Sequence, residues 1–161
     1  SFEELSYEIY GPHGAAILAE ISTDNRNRTA ADIRAILTRN DGKMATAGSV
    51  SRLFHRKGQI MIARDAANED ELMELALEAG AEDFKAEDEG YEVLTAPEDF
   101  EAVHQAIETK EIAMETAEIT QLPEMTAPVS SEAEMEKVHK LVDLLEDHDD
   151  VQSVYTNAEM A

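Results

Sequence analysis

A chain of 161 residues has room for one ordinary domain or two small ones. Its 36 acidic residues against 13 basic give a formal charge of −23, which excludes indiscriminate attachment to nucleic acid or anionic lipid, and 43% hydrophobic residues in periodic patterns exclude a disordered chain. Without cysteine there are no disulfides or thiolate metal sites, which fits a reducing compartment, and neither a membrane-length apolar run nor a signal peptide is visible.

Residues 5–10 alternate apolar and polar, Gly11-Pro12-His13-Gly14 supplies turn chemistry, and residues 15–21 return as an apolar run, so the pattern predicts a β-hairpin. Thr29 with Asp32 three residues later resembles a helix start; Ile33, Ile36 and Leu37 form its core-facing stripe, and Asn40-Asp41-Gly42 ends it. Residues 48–54 and 59–63 read as two strands around a basic turn, His55-Arg56-Lys57-Gly58. Leu72, Leu75, Ala76 and Ala79 mark an acidic amphipathic helix closed by Gly80, and short strands follow near 81–86 and 91–95. Thr95-Ala96-Pro97-Glu98 opens another helix, with Phe100, Val103, Ala106 and Ile107 inward, and a strand over about 112–122 comes next. Residues 123–130 read as a connector before the capping box Ser131-Glu132-Ala133-Glu134. The helix it opens carries Met135, Val138, Val142 and Leu145 on one stripe, and residues 151–155 form the last strand.

From residue 59 the order is β-α-β-β-α-β, which suits an antiparallel sheet with two helices on one face. The final helix and strand then need another sheet to cover, and residues 1–57 offer one. The expected fold is therefore α+β: two small α/β-sandwich-type domains with mainly antiparallel sheets, the second ferredoxin-like and inserted in the first. Residues 1–57 and 124–161 would form the discontinuous domain and 58–123 the acidic insert. A linear division near residue 89 is the alternative, because residues 91–155 can also be parsed as β-α-β-β-α-β.

The charge is segregated. Residues 24–57 hold eight basic residues against three acidic, a local +5, whereas the remainder holds five against 33. Any polyanion has to be met in this segment. The candidates for nucleic-acid contact are Arg26, Arg28, Arg34, Arg39, Lys43, Arg56 and Lys57. Arg26 and Arg28 stand near a helix start, whose free N–H groups favour an anion. The competing reading pairs these two with Asp24 and Asp32, and leaves the others on a solvated face. Asn25 and Asn27, and Gly48 and Ser49 in the small-residue loop 42–50, are candidate loop contacts; that loop either lets backbone approach RNA or a ribosomal surface or is an ordinary connection, which is the stronger reading. That loop lacks the order of a nucleotide-binding P-loop.

No catalytic constellation emerges: acidic pairs such as Asp149-Asp150 carry no weight among 36 carboxylates, and no nucleophile elbow or metalloprotease motif occurs. The five histidines lie far apart, and Asp24-Asn25-Arg26-Asn27 fails the calcium-loop pattern at its third position. No metal, cofactor or enzymatic activity is expected. Phe54 and Tyr91 read as core, not as base-stacking platforms.

The stretches Y-E-I-Y-G-P-H-G-A-A-I-L-A-E, T-D-N-R-N-R-T, D-G-K-M-A-T-A-G-S-V and L-L-E-D-H-D-D-V-Q-S-V-Y-T-N together resemble the YebC/PmpR family over essentially the whole chain. The resemblance implies a probable transcriptional regulatory protein acting by DNA contact. Mitochondrial members are translational activators, so a ribosome-associated translation factor is the alternative, and an acidic protein-interaction module is a third reading from another class. It also implies three domains, a basic helical one followed by two α+β domains with the third inserted in the second. This sequence starts without the helical domain and without Met, which suggests a fragment or processed chain. His13 stands where the family usually has Gly, and Ala45-Thr46 where Gly and Leu are usual. The expected partners are DNA, or RNA in the ribosome, bound weakly through the basic segment, with a possible protein partner on the acidic domain and no membrane. The expected location is the cytoplasm, or the mitochondrial matrix for an organellar member.

Overall fold

The computed structural model describes residues 1–161, which form two compact units: Ser1–His55 with Leu122–Ala161, and Arg56–Gln121. The architecture is α+β, with antiparallel four-stranded sheets and four α-helices. No helix is long and apolar enough to cross a membrane.

In the first unit β1 (Glu3–Tyr10) and β2 (Ala16–Thr23) form the expected hairpin, closed by a 3-10 turn at Pro12–Gly14. The sheet order is β3-β1-β2-β9, where β3 is Lys43–Met44 and β9 is Val151–Thr156. Two helices lie on one face, α1 (Arg26–Arg39) and α4 (Glu132–Glu146). Ile9, Ile17, Ala19 and Ile21 meet Ile33 and Leu37 of α1 and Leu141 and Leu145 of α4. On the opposite face Ala16 and Leu18 are covered by Val50 and Phe54. Burial on both faces explains why β2 is a continuous apolar run, not an alternating one.

The second unit runs β4 (Phe54–Ala63), α2 (Glu69–Ala79), β5 (Asp83–Ala86), β6 (Gly90–Thr95), α3 (Phe100–Thr109) and β7 (Thr116–Pro123). Its sheet order, β5-β6-β4-β7, is that of a ferredoxin-like domain. Ile60, Ile62, Tyr91 and Val93 form the sheet side of its core, and Leu72, Ala76, Val103 and Ile107 the helix side.

Several local expectations are corrected. Residues 48–53 are not a strand: Gly48 has φ +88° and Ser51–Leu53 is a 3-10 turn. The expected turn at 55–58 is part of the continuous strand β4. Gly58 is there for closeness, since a Cβ would run into the Thr95 hydroxyl and the Phe100 ring. Helix α1 starts before Thr29, at Arg26, because Asn25 caps it by accepting the Arg28 N–H at 3.1 Å. The connector at 123–130 contains β8 (Ala127–Val129), which pairs in parallel with β10 (Ala158–Met160). Three residues with a central proline give too short a pattern to show in sequence.

Candidate nucleic-acid interface

The segment T-D-N-R-N-R-T begins at the end of β2 and forms the first turn of α1. Its polar side chains converge on Asp150, which precedes β9 and is 9% exposed. The Thr29 hydroxyl donates to its carboxylate at 2.7 Å, Thr23 at 3.3 Å and the Arg28 guanidinium at 3.3 Å. The Asp150 carbonyl accepts the Ser22 N–H at 2.9 Å, which fixes the loop to β2. The Thr29 bond holds the Asp150 carboxyl below its ordinary range against the opposing effect of burial, with Arg28 and Thr23 adding to it. The hydrogen bond between Arg28 and Asp150 in turn raises the pKa of Arg28. His148 completes the cluster: its Nδ1 accepts the Asp150 N–H at 3.0 Å, and its Nε2 lies 2.8 Å from Asp32. A bond accepted at Nδ1 places the neutral ring's proton on Nε2, facing the Asp32 carboxylate.

The anion at the amino end of α1 is thus the protein's own Asp150. Arg28 is also 3.3 Å from Asp24, so it is held by two carboxylates. Asn25 is the helix cap, and Asn27 is exposed beside it.

The remaining cations do not form one patch. Arg26 and Arg34 stand eight residues apart on α1, about 12 Å along the helix and about 80° around it, and both act on the hydroxyl of Tyr7 of β1. That hydroxyl is buried without a hydrogen-bond partner; burial raises its pKa while the two arginines oppose the rise. Arg26 is 63% exposed with only Glu3 near it at 3.5 Å, and Arg34 is exposed and takes part in no ion pair. Five residues further along α1, Arg39 lies about 140° around the helix from Arg34, at 100° per residue. Lys43 sits opposite Tyr10 in the register of β3 with β1, whereas its neighbour Met44 sits opposite Ile9. Ile9 faces the helices, so Lys43 belongs to the other face of the sheet. Arg56 and Lys57 begin the second unit, and Lys57 is bound to Glu82 at 2.8 Å.

The loop expected to approach a ligand is already filled from within. Glu8 of β1 accepts the Gly48 N–H at 2.7 Å with one oxygen, and those of Val50 and Ser51 at 2.9 and 2.6 Å with the other. Burial pushes the Glu8 carboxyl up, but the bonds from Gly48, Ser51 and Val50 outweigh it and hold the group below its ordinary value. The Ser49 hydroxyl turns inward to the Thr46 carbonyl at 2.6 Å. Sequence reasoning missed Tyr7, Glu8 and Asp150. The signal for Asp150 was the threonine pair Thr23 and Thr29, both fully buried and so in need of an acceptor.

A family model described as "TACO1/YebC second and third domain" matches residues 2–158. A "Probable transcriptional regulatory protein" of Syntrophobacter fumaroxidans is 49% identical over 157 residues, covering 98% of this chain and 63% of that protein. One of the same name from Carboxydothermus hydrogenoformans is 52% identical over 163 residues, covering 99% and 66%. The chain therefore spans about two thirds of the length of these relatives. Among solved structures, a conserved hypothetical protein of Aquifex aeolicus superimposes with a TM-score of 0.80 at 40% identity, over 99% of this chain and 66% of that one. The chain belongs to the TACO1/YebC family and corresponds to that family's second and third domains.

Proposed function

We propose that this chain is the body of a non-enzymatic regulator of gene expression, and that its first unit touches nucleic acid through the phosphate backbone with Arg26 and Arg34. The family match and the relatives' name support the regulatory role. The observation that carries the contact is the exposure of Arg26 and Arg34 on α1, the first paired only with Glu3 and the second with no carboxylate. The second unit is excluded as a polyanion surface by its charge, five basic residues against nineteen acidic over 56–121. Two arginines without groove-reading elements give position, not sequence readout. Screening at physiological salt reaches about 8 Å, so distant carboxylates do not erase their local field.

Fluorescence anisotropy with labelled DNA and RNA duplexes over a salt series tests this. The expected result is weak binding, indifferent to sequence and lost steeply as salt rises. Tight, sequence-selective binding at physiological salt by this chain, or no binding at any salt, contradicts it.

A further inference from the structure

The second unit carries a half-open groove of about 670 Å³ along one side of α2. Its apolar lining is the half-buried Leu75 of α2, Ala67 before the helix and Ile112 after α3, with the fully buried Leu72 beneath them. Its rim is Glu71, Glu74 and Glu78, and Lys110 is the one cation lining it. Helix α2 has five acidic residues and no basic one, and nothing basic in its last turn. Glu71, Glu74 and Glu78 are spaced three and four apart, so they repel one another along one edge. Glu78 also stands near the negative end of the helix dipole, where a carboxylate is disfavoured. The free protein thus holds a row of mutually repelling carboxylates beside half-buried apolar side chains, in a unit whose net charge is −14 from nineteen acidic and five basic residues.

From this we propose a docking site for a basic, apolar-anchored segment of a partner protein. The charge complementarity selects the occupant. An anionic ligand, nucleic acid included, is repelled by the rim, and a purely polar cation leaves the Leu75 and Ile112 floor uncovered. A segment with leucine-like side chains at helical spacing, flanked by lysine or arginine, covers the floor and neutralises the rim together, the groove mode of peptide recognition. The site does not depend on the nucleic-acid contact of the first unit.

The probe is a short fluorescein-labelled synthetic peptide of leucine and lysine, with leucines at helical spacing, titrated into the full chain. Two control peptides carry serine for every leucine or glutamate for every lysine. Binding of the first peptide alone is expected, with backbone NMR shifts concentrated at Leu72, Leu75 and Ile112. Glu74→Lys with Glu78→Lys should weaken it by about tenfold or more, because rim charges set the attraction and the fold does not rest on them. Met73→Ala with Leu77→Ala, on the opposite flank of α2, should leave it unchanged. The proposal is overturned if the serine peptide binds equally or the rim reversal has no effect. It is equally overturned if the shifts map to Met73 and Leu77, or if they arise from self-association without peptide.

Discussion

The carboxylate of Asp150 accepts a 2.7 Å hydrogen bond from the hydroxyl of Thr29, 121 residues earlier in the chain. This bond fastens the first turn of α1 to the loop leading into β9, joining the two chain segments of the first unit. Removing the carboxylate leaves the buried Thr23 hydroxyl without its acceptor, and leaves Thr29 with only the Thr23 hydroxyl and the Asn25 carbonyl. Asp150→Ala should therefore lower unfolding stability by about 2–3 kcal/mol, measured by urea denaturation. Asp150→Asn, which keeps an acceptor oxygen for Thr29 but loses the charge facing Arg28, should fall between it and the parent.

The same carboxylate makes stability depend on acid. Asp150 and Glu8 have folded pKa values below their ordinary 3.8 and 4.5. The native state therefore binds these protons less readily than the unfolded state does. Their contribution is complete above the ordinary values and is lost as pH falls through the lower folded ones. Stability should decline from about pH 4.5 downward, and Asp150→Asn should flatten that decline. An acid limb of the same steepness in the variant would show that Asp150 has no part in it.

Glu8 organises the loop that covers the outer face of the first sheet. Glu8→Ala removes the acceptor for the Gly48, Val50 and Ser51 amides. Faster hydrogen exchange at these positions is expected, while the amides of β2 keep their protection.

Tyr7 carries a buried hydroxyl with no partner. Replacing an unsatisfied polar atom with nothing removes a desolvation cost, so Tyr7→Phe should leave stability unchanged or raise it by up to about 1 kcal/mol. A marked loss in thermal denaturation would mean the hydroxyl does have a partner in solution.

In the second unit, Gly58→Ala pushes a methyl into the Thr95 hydroxyl and the Phe100 ring. Overpacking of this kind costs about 1–3 kcal/mol, to be read from denaturant unfolding.

What the sequence made legible were features with short-range causes. The hairpin at 5–21 follows from alternation around Gly-Pro-His-Gly, and α2 and α4 follow from apolar stripes; Ser131 caps α4 as its capping box indicated, and Asn68, which the pattern did not single out, caps α2. The β-α-β-β-α-β order led to the ferredoxin-like sheet because few topologies satisfy it. Glycine was the weak point: Gly58 looked like a turn in sequence, yet its role is set by Thr95 and Phe100, which only the fold brings near. The basic segment misled in a similar way. Nearness in sequence suggested one patch, but a helix turns successive residues by about 100° and a strand alternates its faces, which separates Arg34, Arg39 and Lys43. Arg26 and Arg28 looked equivalent in T-D-N-R-N-R-T, and only the arrival of Asp150 from the far end of the chain distinguishes them.

That distinction gives the most direct test of the proposed contact. The anisotropy salt series is run on Arg26→Ala with Arg34→Ala and, separately, on Arg28→Ala. The double variant should lose most of its affinity, and the slope of log K against log salt should fall by about two, since each phosphate contact contributes roughly −0.9. Arg28→Ala, whose side chain is already engaged by Asp150 and Asp24, should lower stability more than binding. Unchanged affinity and slope in the double variant, or loss of binding in Arg28→Ala alone with its stability intact, would contradict the assignment of the contact to Arg26 and Arg34.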